Sequence, residues 1–234
     1  MRQYGTSCTE CDNNECFIKK CKENWIEKLS KAKSEIIYKK DNQIIVEGHP
    51  VMGLYFVKKG KVKIISTGIG GKQQIVRLAK TGHVIGHKGS SSEVYPIGAV
   101  AIEDSSICFI DNTLIFDTLM HNPEFTIALM MFYSNELRKV ETRLKYSGQM
   151  TVREKVAEAI LFINDIFGTD ARQCLDAPFL RQDIADLAGT NQEQVVRQLS
   201  EFENEGLLSK KGRKIELLNL DGIHNVISSY PTYY

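Results

Sequence analysis

Residues 181–208 constrain the fold of this chain more than any other stretch, because they predict two short helices joined by a tight turn. Apolar side chains recur at helical spacing on both sides of the turn. They are Ile184, Ala185, Leu187 and Ala188 in the first helix and Val195, Val196, Leu199 and Phe202 in the second. Gly189 and Thr190 lie in the turn, and Gly206 ends the second helix. Asn191 is a suitable N-cap, with Gln194 three residues later at the capping-box position.

The exposed face of the second predicted helix carries long polar side chains. They are Gln192, Glu193, Gln194, Arg197 and Gln198. Side chains of this kind at the start of a helix can reach base edges in the major groove of DNA. The alternative is an ordinary amphipathic helical hairpin inside an enzyme. The pattern favours DNA binding over that alternative.

A cluster of positive charge follows the helix-turn-helix pattern. It consists of Lys210, Lys211, Arg213 and Lys214. Apolar runs at residues 207–209 and 215–218 flank the cluster, so the segment predicts a β-hairpin wing with a basic turn. The chain of 234 residues has a net charge of only +1, so any contact with DNA depends on such local concentrations of charge.

Several classes of protein are not expected from this sequence. The first thirty residues are polar and rich in cysteine, without the apolar core of a signal peptide. No run of eighteen apolar residues is present, so we expect a cytoplasmic protein without a membrane partner. The sequence contains no nucleophile elbow, phosphate loop or paired-carboxylate motif, so we do not expect an enzyme.

The character of the sequence changes along the chain and predicts four parts. Residues 1–22 form a polar, Cys-rich segment. Residues 23–122 contain short β-branched and aromatic runs that predict an antiparallel barrel or roll. Residues 123–148 predict one long helix, and residues 149–234 hold the helix-turn-helix and the wing. The predicted strands lie at residues 54–57, 62–65, 74–78, 84–85 and 107–110.

The long helix carries apolar residues at the a and d positions of about two heptads. They are Met130, Tyr133, Leu137, Val140 and Leu144. This seam predicts dimerisation along the helix, and the alternative is packing of the helix on its own domain. A further helix is predicted to begin at Thr151, where Glu154 completes a capping box, and to end at Phe167.

This order of a barrel, a long helix and a winged helix-turn-helix resembles the CRP/FNR family of bacterial transcription regulators. The resemblance is carried by residues 47–48 (EG), 54–62 (LYFVKKGKV), 82–86 (GHVIG), 100–105 (VAIEDS) and 182–197. It implies an α+β fold with a cyclic-nucleotide-binding-like β-roll, a long dimerisation helix and a C-terminal winged helix-turn-helix. It also implies a homodimer that binds a near-palindromic site on double-stranded DNA and contacts RNA polymerase.

The resemblance also implies which residues contact DNA. Gln192, Glu193 and Arg197 would read bases, because a carboxylate accepts from cytosine N4 and an arginine forks onto guanine O6 and N7. Phosphate contacts would come from Arg181, Thr190, Lys210, Lys211, Arg213 and Lys214. Phosphate contacts set the register and the salt dependence of binding rather than its sequence preference.

Cyclic-nucleotide-binding members of the family carry a Gly-Glu pair and, further along the chain, an Arg followed by Ser or Thr. This chain has Gly-His at residues 86–87 and Tyr-Pro at residues 95–96 near those positions. No arginine occurs between Arg77 and Arg138. Lys88 offers only a point charge, without the bidentate geometry of an arginine. A cyclic-nucleotide effector is therefore not expected.

Four cysteines occur close together near the N-terminus, in the spacing C-x2-C-x4-C-x4-C. They are Cys8, Cys11, Cys16 and Cys21. Such a run in a cytoplasmic protein points to metal or redox chemistry rather than to disulfides. Three interpretations remain open. They are an iron–sulfur cluster with thiolate ligands, structural zinc held by four soft ligands, and a disordered, reactive thiol tail without metal.

The family resemblance adds Cys108 to the candidate metal ligands. FNR-type oxygen sensors place three cysteines in a similar N-terminal run and a fourth in the barrel, where Cys108 matches. The gap between Cys11 and Cys16 is one residue shorter than the usual sensor spacing, and Cys21 is surplus to that set. Cys174, in the linker before the helix-turn-helix, is expected to be a structural residue.

These observations predict a sequence-specific DNA-binding regulator that is switched by redox state or a diatomic gas through its N-terminal cysteines. The alternative keeps the same DNA-binding regulator but places an unknown small ligand in the β-roll. In that alternative the cysteines are structural, as zinc ligands, or idle.

Overall fold

The computed structural model describes residues 6–86 and 93–230 and divides the chain into two compact units. The first unit consists of Met1–Lys72 and Val76–Asn135, and the second consists of Gln73–Ile75 and Glu136–Tyr234. The division falls inside the long helix, whereas the sequence predicts boundaries at both ends of that helix. The Cys-rich residues belong to the first unit rather than forming a separate part.

The first unit is a β-roll flanked by helices. Its helices are α1 (Glu23–Ala32) and α2 (Asn112–His121), and a 3-10 turn spans Phe17–Lys20. Its strands are β1 (Ser34–Tyr38), β2 (Gln43–Ile45), β3 (Gly53–Lys59), β4 (Lys61–Thr67), β5 (Gln73–Lys80), β6 (Val84–Ile85), β7 (Gly98–Ala101) and β8 (Ser105–Asp111). Every strand predicted from the sequence lies within one of these strands, whereas neither α1 nor α2 is predicted.

Two four-stranded sheets form the roll, with strand orders β1-β8-β3-β6 and β2-β7-β4-β5. β3 pairs antiparallel with β8, which places Tyr55 opposite Phe109. The turn between β3 and β4 requires glycine, because Gly60 has a φ of +119° and a Cβ atom there would lie 2.2 Å from Ser105 Oγ.

Apolar side chains fill the interior between the two sheets. They include Ile44, Ile45, Val57, Val62, Ile64, Ala79, Ile85, Ala99, Ala101 and Ile107. Tyr95 is buried among them, and its hydroxyl donates to the Gly53 carbonyl (2.8 Å). The same hydroxyl accepts from the backbone N–H groups of Met52 and Gly53, both at 3.2 Å. The interior is therefore a packed core in which Tyr95 satisfies the start of β3.

The Cys-rich residues pack against the outer face of the sheet that contains β3 and β8. They share one apolar cluster with side chains of α1, the sheet, α2 and the start of α3 (Pro123–Ser147). Its members are Cys8, Ile18, Cys21, Leu29, Leu54, Phe56, Val84, Cys108, Ile110, Ile115, Phe125 and Leu129. The Asn13 amide adds hydrogen bonds to the carbonyls of Val57 (3.2 Å) and Lys58 (3.4 Å). Residues 8–22 are therefore packed on the roll rather than disordered.

The helix α3 is continuous and ends next to Gly148, close to the predicted position. The five residues of its predicted seam have different environments. Tyr133 packs partly against the apolar cluster of the first unit. The others keep between 47% and 74% of their surface exposed: Met130, Leu137, Val140 and Leu144. An exposed apolar row on a helix is typical of a surface that packs against another chain.

The second unit consists of helices and a two-stranded hairpin. Besides the end of α3 it contains α4 (Val152–Phe167), α5 (Arg181–Ala188), α6 (Gln192–Asn204), β9 (Leu208–Lys211), β10 (Lys214–Leu217) and α7 (Leu220–Val226). Thr151 begins α4 with both halves of the predicted capping box. Its hydroxyl accepts from the Glu154 N–H (3.3 Å), and its own N–H donates to the Glu154 carboxylate (2.7 Å). None of the helices in the described part of the chain has the length and apolar character needed to cross a bilayer.

Candidate nucleic-acid interface and cysteine site

The helices α5 and α6 form the helix-turn-helix that the sequence predicts. Gly189 ends α5 with a φ of +65°, in the left-handed region that favours glycine. Asn191 precedes α6, and its side-chain oxygen accepts from the Gln194 N–H (2.9 Å). This is the only half of the predicted capping box found among the described contacts. Gln194 Oε1 is instead buried without a hydrogen bond to any described residue.

The two helices pack through their predicted apolar faces, with two exceptions on α6. Val196, predicted in the core, is 45% exposed, and Gln198, predicted on the exposed face, is only 4% exposed. Helix geometry explains both corrections, because successive residues turn by about 100°. Gln198 therefore lies between Val195 and Phe202 on the buried side, whereas Val196 points away from it.

The three predicted base readers lie on the first turns of α6. Gln192, Glu193 and Arg197 are all exposed to solvent. The Arg197 guanidinium lies 3.8 Å from the Glu201 carboxylate, one turn further along the helix. An exposed ion pair of this kind contributes little free energy, so Arg197 can exchange it for a base edge. The exposure of all three side chains is compatible with reading of the major groove.

The wing forms as predicted, but carboxylates neutralise most of its positive charge. β9 and β10 are joined by a turn in which Gly212 has a φ of +63°. Three of its cations form ion pairs inside the second unit: Lys210 with Glu203 (2.9 Å), Lys211 with Glu216 (3.5 Å) and Lys214 with Asp170 (2.6 Å). Arg213 lies exposed at the turn. The wing is thus less positive than its sequence suggests.

Arg181 and Thr190, two further predicted phosphate contacts, are half-buried and already engaged. The Arg181 guanidinium donates to the carbonyls of Gly212 (3.3 Å) and Arg213 (3.4 Å), so it holds the turn of the wing. Burial lowers the pKa of Arg181, but an arginine remains charged in a protein. The Thr190 N–H donates to the Ala185 carbonyl (3.1 Å) and so helps to close the helix-turn-helix.

Four cysteines meet at one cavity in the first unit. Three come from the N-terminal segment and one from β8: Cys8, Cys11, Cys16 and Cys108. The other lining residues are Asn13, Ile18, Lys19, Lys33, Phe56 and Lys58. The cavity volume is about 20 Å³, which is room for about one water molecule. Cys21 is buried in the adjacent apolar cluster and is not among the described residues that line this cavity.

At this cavity Cys8 and Cys108 are buried, Cys11 and Cys16 are half-buried, and lysines lie beside them. Burial raises the pKa of Cys16 to about 11 and also raises the pKa values of Cys8 and Cys108. The thiols of Cys8, Cys16 and Cys108 are therefore protonated at neutral pH, and metal binding to them would release protons. The Lys33 ammonium approaches the Cys108 Sγ at 3.6 Å.

The donor set fits an iron–sulfur cluster or a zinc ion in its chemistry, since both take thiolate ligands. However, no three His, Cys, Asp or Glu side chains in the described ranges have the geometry to hold a metal ion as they stand. The four cysteines nevertheless line one cavity. Packing holds their backbone in place, while their Sγ atoms can move between rotamers. Metal loading would therefore require rotation of these side chains and, for an iron–sulfur cluster, expansion of a cavity that has room for about one water molecule.

The described interior of the roll is filled by aromatic and aliphatic side chains. Tyr95 lies in the interior against Tyr55, with ring centroids 6.3 Å apart, and its hydroxyl is satisfied by backbone groups. Arg77 is buried and donates to the Val84 carbonyl (2.9 Å). His87 and Lys88 lie outside the described residues. Within the described part of the roll, the interior presents apolar side chains.

The Asp170–Lys214 ion pair gives a testable pH dependence. Hydrogen bonds from Lys214 and from the N–H groups of Arg172 and Cys174 lower the pKa of Asp170 to about 2. We expect Lys214→Met to raise this pKa part of the way towards the ordinary value of about 3.9, as measured by NMR titration of the carboxyl carbon. The stabilisation from a lowered pKa is present above the unfolded-state pKa and is lost as the pH falls towards 2.

A matched control for this titration is Lys211→Met, because Lys211 pairs with Glu216 instead. It should leave the pKa of Asp170 unchanged. An Asp170 pKa that is the same in Lys214→Met and in the wild type would contradict the ion pair.

Two family models match the chain. The cyclic nucleotide-binding domain model matches residues 35–122, and the Crp-like helix-turn-helix domain model matches residues 154–226. The two matches together cover the roll and the helix-turn-helix described above.

Similar regulators and a similar solved structure agree with these matches. The transcriptional activator protein FnrA of Stutzerimonas stutzeri is 26% identical over 188 residues, covering 79% of this chain and 77% of that protein. The fumarate and nitrate reduction regulatory protein of Vibrio cholerae is 24% identical over 183 residues, covering 77% of this chain and 73% of that protein. The structure of FixK2 from Bradyrhizobium japonicum matches with a TM-score of 0.73 at 27% identity, covering 83% of this chain and 96% of that chain.

These comparisons confirm the α+β fold with a β-roll, a long helix and a C-terminal helix-turn-helix. The similar proteins are transcription regulators and not enzymes, so the alternative of a helical hairpin inside an enzyme is wrong. This protein is a DNA-binding transcription regulator. It belongs to the CRP/FNR family.

Proposed function

We propose that this regulator binds a near-palindromic DNA site as a homodimer and that its cysteine site switches its affinity for DNA in response to redox state or a diatomic gas. The observation that carries the proposal is the meeting of Cys8, Cys11, Cys16 and Cys108 at one cavity. By family resemblance, the DNA-bound form contacts RNA polymerase.

The exposed row on α3 supports the homodimer. Met130, Leu137 and Leu144 are spaced seven residues apart and are exposed in the single chain. Val140 lies between them on the adjoining d position, also exposed. A single chain leaves this apolar surface in water. Pairing of two such rows would bury it, and each Å² of buried apolar surface contributes about 25 cal/mol of favourable free energy. A two-fold pair would present two copies of α6 to successive major grooves.

We expect Leu137→Glu to prevent dimerisation, because the substitution places two like charges at the centre of the seam. Sedimentation velocity should show the wild type at twice the monomer mass and the variant at the monomer mass. Asn135→Glu is the matched control, since Asn135 is exposed on the opposite side of α3 and adds the same charge there. A Leu137→Glu protein that remains a dimer would contradict the seam.

The polar start of α6 supports sequence reading by Gln192, Glu193 and Arg197. All three side chains are exposed, while Val195 and Leu199 anchor the helix in the second unit. The carboxylate of Glu193 suits cytosine N4, and the fork of Arg197 suits guanine O6 and N7. Arg181, Thr190 and the wing cations would meet phosphates beside these bases.

We expect Arg197→Ala to lose roughly 1–3 kcal/mol of discrimination at one base pair of each half-site, because a bidentate base contact disappears. The measurement is a competition assay with a site selected by the wild-type protein from random DNA and with its single-base variants. Arg213→Ala, at the exposed turn of the wing, is the control and should weaken binding evenly across sequences. An even loss in Arg197→Ala would argue against its role as a base reader.

The cysteine site supports an iron–sulfur cluster held by Cys8, Cys11, Cys16 and Cys108. Four thiolates are the ligands that such clusters take, and the family resemblance implies the same three-plus-one arrangement. When bound, a cluster would supply electron exchange or reactivity towards a diatomic gas. The similar V. cholerae protein is named for the regulation of fumarate and nitrate reduction, which is a redox process. Zinc on the same thiolates is the alternative.

The packing of the first unit supports a physical connection from the cysteines to α3. Phe17 lies edge-on to Phe132 of α3, with ring centroids 5.4 Å apart. The Lys22 N–H donates to the Asn122 side chain (3.0 Å), immediately before α3 begins. A shift of the cysteine segment would therefore change the support of α3 and favour one of two dimer geometries over the other.

We expect oxygen-free wild-type protein, reconstituted with iron and sulfide, to retain both in an amount that Cys108→Ser lowers strongly. Iron and sulfide analysis together with an absorbance spectrum measures this. Cys174→Ser and Cys21→Ser are controls, because Cys174 lies in the second unit and Cys21 lies outside the cavity lining. Zinc without iron or sulfide in the wild type would support the zinc alternative, and loss of iron in Cys21→Ser would contradict the assigned ligands.

A further inference from the structure

A lysine is buried beside the cysteine cavity, and its nearest carboxylate among the described residues is 4.0 Å away. The Lys33 side chain is only 2% exposed. Its ammonium donates to the Thr6 carbonyl (2.9 Å) and to the Cys108 Sγ (3.6 Å). The Glu35 carboxylate is 4.0 Å away, beyond hydrogen-bond distance. A buried ammonium is costly unless an anion compensates it, so its position calls for an explanation.

Glu35 is committed mainly to other groups. Its Oε1 accepts from the Lys58 ammonium (2.8 Å) and from the Ser106 hydroxyl (2.7 Å). Its Oε2 is buried and receives no hydrogen bond from the described residues. One carboxylate is therefore shared between two lysines, Lys33 and Lys58, and it is bonded directly to Lys58 alone.

The cavity is electropositive once its charged neighbours are counted. Lys19, Lys33 and Lys58 line it, and Glu35 is the carboxylate bound to this group. Glu10 and Asp12 line an open cleft that adjoins the cavity at Asn13 and Lys58, and both acids are solvent-exposed. The lysines thus exceed the buried carboxylate by two positive charges. In the same cavity the surrounding thiols are the groups that can supply the opposite charge.

We propose that Lys33 is a positioning residue that supplies the counter-charge for a thiolate-ligated centre at this cavity. Four thiolates around a doubly positive core, whether one zinc ion or an iron–sulfur core of that charge, carry two net negative charges. That charge balances the excess of the lysines. Lys33 would also hold the Cys108 sulfur by a hydrogen bond, the type of outer contact that orients a metal ligand. This inference rests on the proposed cysteine ligands.

The test is an oxygen-free titration of reduced, metal-free protein with Co²⁺, whose thiolate charge-transfer band reports ligation by sulfur. We expect Lys33→Met to bind Co²⁺ about 10–100-fold more weakly than the wild type, the range found when outer contacts of a metal site are removed. Glu35→Gln should bind several-fold more tightly, because it removes the carboxylate nearest to Lys33 among the described residues. Lys39→Met removes the same charge as Lys33→Met from an exposed lysine and should match the wild type.

The two variants are expected to change Co²⁺ affinity in opposite directions, which distinguishes an electrostatic role from a packing role. Weaker binding in both Lys33→Met and Glu35→Gln would show that the residues only support the fold and would overturn the inference. Equal binding in Lys33→Met and the wild type would overturn it as well. If Lys33→Met fails to fold by circular dichroism, Glu35→Gln decides alone: tighter binding supports the counter-charge, and unchanged or weaker binding rejects it. A wild type without a thiolate band would instead overturn the proposed metal site, and the inference with it.

Discussion

One apolar cluster holds the first unit of this regulator together. It joins Cys8, Ile18 and Cys21 of the N-terminal segment to Phe56 and Cys108 of the roll, and it continues into the first turns of α3. Each fully buried large apolar side chain in such a cluster contributes about 1.5–3 kcal/mol relative to exposure. The cysteine segment is therefore a structural layer that packs on both the roll and the start of α3.

The described interior of the roll is packed with side chains, whereas the cysteine cavity lies outside it. The fold matches a cyclic nucleotide-binding domain, but Tyr95 and a continuous set of aliphatic side chains occupy the described interior. A ligand in that position would have to displace close-packed side chains, which is costly. Under the proposed function, the site of sensing lies on the opposite face of the β3–β8 sheet. It consists of thiols and lysines rather than of a ligand pocket inside the roll.

Local patterns predicted the parts of the structure that short-range chemistry determines. Thr151 with Glu154, Gly189 with Asn191, and the strands of the roll all depend on neighbours within a few residues. Local sequence patterns do not predict contacts between residues that are far apart along the chain. Cys108 was found only through family resemblance, because β8 reaches the cysteine segment through the fold. Lys33 and Asp170 carry no local signal, since their partners Cys108 and Lys214 lie 75 and 44 residues away along the chain. The sequence pattern does not predict α2, because the apolar residues of this helix lie on all of its sides and form no single stripe.

The ion pairs of the wing have a consequence for how this regulator searches DNA. Non-specific affinity comes from cations that release counterions as they meet phosphates. Lys210, Lys211 and Lys214 already have internal counter-charges, so a phosphate has to displace a carboxylate rather than a mobile sodium ion. Each such exchange releases fewer counterions, so under the proposed function these lysines would add less to non-specific affinity than unpaired lysines would. Under the proposed function, discrimination between sites would then depend mainly on the bases that α6 meets.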